Sequence, residues 1–232
     1  MALFMTAEWR RLINLTYAVE PALLQPHLPR GLALDVIDGK AFVGLVPFSF
    51  EKICLRGYRI PFHTRFPEIN LRFYVRHGDR RGVVFLQECA PKAAVVWLAR
   101  KKYNEPYRKM RMQETVRMGT GSFSVRQSIW CGGKKNFVEV EAGLNAFVPA
   151  AHTHDHYFKE LEFGFGSGHD GKTKLYRVHH PAWEIFPVQR VQVDLDFAVI
   201  FGKKWAFLSG EKPFNAALVK GSAVQVYDIE DL

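Results

Sequence analysis

Polar and apolar residues alternate most cleanly between positions 66 and 76. There Glu68, Asn70, Arg72, Tyr74 and Arg76 fall on one parity and Ile69, Leu71, Phe73 and Val75 on the other. A period of two sends successive side chains to opposite faces, so the segment predicts a strand with one apolar and one polar face. His77-Gly78-Asp79-Arg80-Arg81-Gly82 supplies a hairpin connection, and residues 82–90 return as a second strand. Pro91 closes that strand and suits the first turn of a helix. Ala93, Ala94, Trp97 and Leu98 give the helix an apolar side, and Arg100, Lys101 and Lys102 stand at its C-terminal end, where the macrodipole favours cations. Asn104, Glu105 and Pro106 stop it. From 107 to 118 alternation resumes, with Tyr107, Lys109, Arg111, Gln113 and Thr115 on one face and Met110, Met112, Val116 and Met118 on the other.

The flanking sequence reads in the same way. Residues 12–17 predict a strand, 20–24 a turn or two of helix closed by Pro26 and Pro29, and 32–37 and 41–50 strands around the hairpin signal Asp38-Gly39. Gly119-Thr120-Gly121 and Gly132-Gly133 divide 107–141 into a meander of three long antiparallel strands. Residues 152–161 predict a short helix, and 174–180, 184–201 and 218–229 are mostly strand. So many strands with so few helices predict a mainly β chain whose antiparallel sheet is closed or highly curved. Without a low-complexity linker, residues 1–232 are expected to form one domain.

Composition narrows the function classes. With 48% hydrophobic and 14% aromatic residues the chain can bury a sizeable core. No apolar run approaches the roughly 18 residues a membrane helix needs, and charged residues interrupt the N-terminus before any signal-like run. A cytoplasmic protein without a membrane partner is therefore expected. Cys54, Cys89 and Cys131 have neither disulfide-framework nor zinc spacing. The formal net charge of +9 permits an anionic partner, but the cations cluster at turns with no nucleic-acid-binding motif, so nucleic-acid binding is not expected.

The segments TYAVEPALLQPHLPRGLALD, EINLRFYV and ARKKYNEPY, in that order, resemble the acetoacetate decarboxylase-like superfamily. More closely they are similar to an uncharacterised bacterial branch of it, known only as a domain of unknown function; DHYFKELEFGFG and YRVHHPAW extend the likeness over nearly the whole chain. The resemblance implies a cone-shaped, mostly antiparallel β-barrel with short flanking helices and an internal cavity. It also implies a Schiff-base lysine directly after a proline, a case among the known examples of an amine activated by a neighbouring cation. Pro106 keeps its place here, but the nucleophile position holds Tyr107 and the next one Arg108. The arginine expected in the first strand is Ala18, whereas an active-site glutamate is matched by Glu68.

These residues define the candidate site. Glu68, Asn70, Arg72 and Tyr74 are expected to line the cavity, because the other face of their strand is uniformly apolar and needs something to cover; the alternative is a solvated face with cross-strand ion pairs. Glu68 and Tyr107 are candidate acid-base groups, and Arg72 or Arg108 the anion partner. Lys109, sharing the predicted face of Tyr107, is either a displaced nucleophile, if burial lowers its pKa, or an exposed surface lysine. His152, His154, Asp155 and His156 lack the spacings that specify a metal site, so neither metal nor cofactor is expected. Tyr103, Trp97, Trp130 and Trp183 read as core. The expected function is binding of a small carbonyl- or carboxylate-bearing metabolite in the cavity, without Schiff-base decarboxylation. The alternatives are a non-catalytic binding or interaction module and a decarboxylase-like lyase that uses Lys109.

Overall fold

A computed structural model describes residues 1–232. Its strands are β1 (Leu3–Val19), β2 (Ala33–Leu34), β3 (Ala41–Leu55), β4 (Phe66–His77), β5 (Arg80–Ala90), β6 (Tyr107–Lys109), β7 (Arg111–Met118), β8 (Ser122–Cys131), β9 (Lys134–Gly143), β10 (Phe163–Ser167), β11 (Thr173–His179), β12 (Ile185–Phe186), β13 (Val188–Asp194), β14 (Asn215–Tyr227) and β15 (Glu230–Asp231). The helices are α1 (Ala93–Tyr103), α2 (His154–Lys159) and α3 (Phe197–Phe201). Seven strands close a ring in the order β14, β1, β3, β4, β5, β10, β11, with β11 pairing back onto β14. Neighbours in the ring are antiparallel except β5 and β10. A second sheet, β13-β9-β8-β7, lies against the outside of the barrel.

The alternation in β4 sorts residues between these layers. Ile69, Leu71 and Phe73, with Val43 and Leu45 of β3 and Ile13 and Leu15 of β1, pack against Val125, Ile129, Val138 and Val140 of the second sheet in a cluster of 31 buried residues. The opposite parity faces the barrel interior, where Val46, Phe48 and Phe50 join Glu68, Asn70 and Arg72. β3 is apolar on both parities because both of its faces are buried.

β1 changes phase. Arg11 adopts a left-handed φ of 53° at a register shift between β1 and β3, so Met5 and Trp9 before it and Leu12 after it all line the interior. The bulge directs the Arg11 guanidinium to Glu51 (2.6 Å) and Glu114 (2.8 Å), tying the barrel to β7. Opposite it, Gly221 has a φ of 77°, and a Cβ there would meet the Trp9 carbonyl oxygen at 1.9 Å.

Four segments depart from the sequence expectation. Of residues 32–37 only Ala33–Leu34 is strand, and it pairs with β4 rather than β3. Residues 107–118 are two strands, because Met110 donates its N–H to Ala90 O and the chain then leaves the barrel wall for the second sheet. The stretch 184–201 does not end as a strand but as α3, capped by the Asp196 side chain accepting from Val199 N and burying Phe197, Ile200 and Phe201 at helical spacing. α1 buries Val96 and half-buries Val95, while Trp97, expected in the core, is exposed with Lys101 over its ring.

Gly221→Ala is expected to destabilise the protein by about 3 kcal/mol, since left-handed strain and a backbone clash act together. Gly39→Ala, at a φ of 76° with open space around it, should cost only about 1 kcal/mol. Urea denaturation of both variants measures the difference.

Candidate functional site

The barrel has one closed end and one open end. At the closed end Phe42, Tyr74 and Val83 pack on Phe158 of α2. Asn14 donates to the Phe158 carbonyl at 2.9 Å, and the Tyr74 hydroxyl sits 3.2 Å from Thr16 Oγ1 and 3.4 Å from Asn14 Oδ1. At the other end a cavity of about 210 Å³ is lined by 27 residues, 21 of them hydrophobic. The loop joining β3 to β4 and the helix following β5 both emerge at this end, since β3, β4 and β5 run alternately up and down. Ile60 and His63 of the loop and Ala94, Val95, Leu98 and Ala99 of α1 contribute to its lining.

The polar groups of the cavity converge from adjacent strands. In register, Asn70 of β4 lies beside Glu88 of β5, and Glu88 lies beside Tyr107 of β6. The Tyr107 hydroxyl donates to Glu68 Oε2 at 2.6 Å, and Asn70 Nδ2 lies 3.5 Å from Glu68 Oε1. Glu105, set in place by the left-handed Asn104 that ends α1 and by Pro106 after it, is the third buried carboxyl, and the Tyr176 hydroxyl faces it. Burial disfavours the charged form of each acid. It pushes Glu68 up to about 7, against the opposing hydrogen bonds from Tyr107 and Asn70. Glu105 rises to about 8 by burial, with the Glu68 charge adding to the effect. Glu88 is raised well above the usual carboxylate range by burial and by the charges of Glu105 and Glu68. Burial also raises Tyr107, so its phenol stays a proton donor.

Arg72 is the one arginine or lysine lining the cavity. Its Nε, Asn70 Oδ1, Glu88 Oε2, Tyr103 Oη and Trp9 Nε1 are buried without a hydrogen-bond partner, although buried polar groups are normally paired. The cavity thus presents one permanent cation, protonatable carboxyls and several free donors and acceptors within apolar walls. Ligand pockets have this composition. No three His, Cys, Asp or Glu side chains are grouped as metal ligands; His154 instead packs on Phe214 beside the plugged end, and Thr153 caps α2.

A family model for DUF2071, described as uncharacterised conserved proteins, matches residues 6–221. The chain belongs to the DUF2071 family. It is 30% identical over 104 residues to the uncharacterised protein YqjF of Bacillus subtilis strain 168; the match spans 44% of this chain and 43% of YqjF, so less than half of that relative is covered. Among solved structures, the acetoacetate decarboxylase of Legionella pneumophila superposes with a TM-score of 0.68 at 11% identity, covering 100% of this chain and 88% of that one. An acetoacetate decarboxylase-like enzyme of Sphingomonas wittichii RW1 gives 0.66 at 12%, covering 100% and 94%. The enduracididine biosynthesis enzyme MppR complexed with pyruvate gives 0.65 at 11%, covering 100% and 91%. The DUF2071 chain therefore has the acetoacetate decarboxylase-like fold.

Within this DUF2071 barrel the candidates separate. Glu68, Asn70, Arg72 and Tyr107 line one cavity. Tyr74 lies on the same parity but at the plugged end, so it contributes to packing there. Lys109 is exposed and outside the cavity, because β6 ends with it and the chain turns away at Met110. Arg108 is also exposed; it donates to the carbonyls of Val199 (3.1 Å) and Ile200 (3.3 Å), where a cation complements the C-terminal end of α3. Glu88, Glu105 and Tyr176 escaped the sequence reading. A register shift between β4 and β5 at Leu71/Arg72 breaks the parity of β5, so Phe85 and Glu88 both face the cavity and no clean alternation marks Glu88. The one local signal for Glu105 was its place before Pro106, which fixes an extended backbone but not its direction.

The raised carboxyls set a pH dependence. Each binds its proton more tightly in the folded than in the unfolded chain, so the stabilisation is fully present below the ordinary carboxylate value of 4.5 and is lost as pH rises through about 7 for Glu68 and about 8 for Glu105. Tm should fall from pH 5 to pH 8, and Glu88→Gln, which removes one buried acid without changing shape, should flatten that fall. Thermal melts of both proteins across the range measure it.

Proposed function

We propose that this protein binds a small, largely apolar metabolite carrying a carbonyl or carboxylate, and that it moves protons at that ligand without forming a Schiff base. The observation that carries the reading is Arg72, the lone permanent cation of an apolar cavity, with a guanidinium nitrogen left unpaired. A carboxylate on the ligand would complete that pairing with charge-assisted hydrogen bonds. Beside it, Glu68 titrates near neutrality and is bonded to the Tyr107 phenol, a pairing suited to general acid-base work. The ionised Glu68 would take a proton from the carbon next to the ligand carbonyl and become neutral, while protonated Glu88 or Glu105 donates a hydrogen bond to the enolate oxygen. Return of the proton completes the cycle with atoms and charge balanced. The fold is shared with a structure of MppR complexed with pyruvate, a carbonyl-bearing carboxylate.

Schiff-base decarboxylation has little support. No lysine lines the cavity, and the position after Pro106 carries a phenol, which forms no imine. Two residues along a strand displace an amine by roughly 6 to 7 Å, and Lys109 is exposed besides. This same lack of an amine favours the second reading, a binding module without catalysis, which would bind ligand but exchange no protons.

Pyruvate and longer-chain 2-oxo acids test the proposal. Binding should be detectable by calorimetry and weakened about tenfold to a hundredfold in Arg72→Met. In deuterium oxide, NMR should record exchange at the carbon next to the carbonyl, lost in Glu68→Gln with binding retained. Binding without exchange in the wild-type protein would establish the module instead, and no binding of any 2-oxo acid would remove both. Acetoacetate with borohydride should leave Lys109 unmodified; an adduct there, lost in Lys109→Ala together with carbon dioxide release, would restore the covalent route.

A further inference from the structure

The rim of the cavity combines basic residues with exposed aromatic side chains. It is framed by residues 56–65, between β3 and β4, and by residues 92–103, which hold α1; both emerge at the open end of the barrel. Together they carry Arg56, Arg59, Arg65, Lys92, Arg100, Lys101 and Lys102 and no Asp or Glu. They also carry Phe62 (87% exposed) and Tyr58 (75%), the two most exposed large hydrophobic residues of the chain, and Trp97 (61%), its one exposed tryptophan. Phe62 holds a left-handed φ of 63° directly after Pro61, a costly conformation for an aromatic residue. Arg56 and Lys102 pair with Asp228, and Arg65 lies 3.6 Å from both Glu51 and Glu114, so the unpaired cations of the rim are Arg59, Lys92, Arg100 and Lys101; the Lys101 ammonium lies 4.9 Å from the centre of the Trp97 ring.

We infer that this rim is a peripheral docking surface for an anionic lipid bilayer, with the mouth of the cavity facing the lipid. Tryptophan and tyrosine favour the headgroup level, and cations near an anionic leaflet each add attraction. The two together give reversible interfacial binding without a spanning helix. Charge decides among occupants. A second copy meeting this rim about a two-fold axis would set cations against cations, whereas an anionic lipid surface neutralises them. The docking reading does not rest on the identity of the cavity ligand. It departs from the expectation of no membrane partner, which rested on the lack of a long apolar run.

Co-sedimentation of the full chain with phosphatidylcholine vesicles, with and without phosphatidylglycerol, tests it. The protein should pellet with the phosphatidylglycerol-containing vesicles only, and salt should release it. Arg59→Glu should lower partitioning about thirtyfold and Arg59→Gln about fivefold, while Arg117→Glu, an exposed arginine on the second sheet, should change it little. Phe62→Ser should weaken binding without altering the melting temperature, and brominated lipid should quench a fluorescence component that Trp97→Phe removes. Failure to pellet with anionic vesicles, or equal sensitivity to Arg117→Glu and Arg59→Glu, would overturn the proposal. So would a chain that sediments as a dimer until Phe62→Ser dissociates it, because a second copy would then cover the rim. Loss of 2-oxo acid binding with vesicle binding intact would strike the ligand reading alone.

Discussion

The two-sided burial of β3 and β4 is the constraint on which the molecule turns. A strand with only one buried face can leave its polar parity in water, but β4 is covered outside by the second sheet and inside by the closed barrel. Its polar parity therefore becomes the lining of a chamber. The apolar parity, Ile69, Leu71 and Phe73, supplies the packing that fixes the wall and holds Glu68, Asn70 and Arg72 at set heights along the interior. Tyr74, next in that series, falls beyond the chamber into the aromatic plug around Phe158. Cavity lining and packing share one strand, divided by parity and by depth.

Burying three carboxyls beside each other has an electrostatic consequence. Ionising one raises the cost of ionising the next, and the apolar walls supply no countercharge besides Arg72. The cluster therefore retains protons at pH values where surface carboxylates have lost theirs, and its members can donate as well as accept hydrogen bonds. Tyr107 adds a donor whose phenol burial keeps protonated. The position after Pro106, where the resemblance to the decarboxylase-like pattern implies a lysine, carries this phenol in place of an amine.

The two ends of the barrel differ for a topological reason. The Arg80–Ala90 strand returns to the end at which β4 begins, so the β3–β4 loop and α1 are set side by side around the opening. The opposite end receives α2, whose Phe158 fills the interior beside Phe42 and Tyr74. Phe62 of the β3–β4 loop and Trp97 of α1, apolar side chains that would be core elsewhere, are exposed.

Much of this was legible in the sequence. The alternation from Glu68 to Arg76 determined a two-faced strand, Gly132-Gly133 a hairpin and Asp38-Gly39 a tight turn closed by the Ile37–Lys40 bridge, and Pro91 with Asn104 bracketed α1, because these features rest on local backbone preference and parity. The carbonyl-facing role of Arg108, the exposure of Lys109 and the entry of Glu88 and Glu105 into the cavity were decided only in three dimensions. The entry of Glu88 depends on the register shift opposite Leu71 and Arg72 and the placement of Lys109 on the departure of the chain at Met110, just as the inward facing of Leu12 depends on the bulge at Arg11. Periodicity carries facing only as far as the pattern runs unbroken. A single extra residue in one strand reverses the parity of all that follow, and whether that residue is accommodated as a bulge is settled by the partner strand and not by the sequence around it.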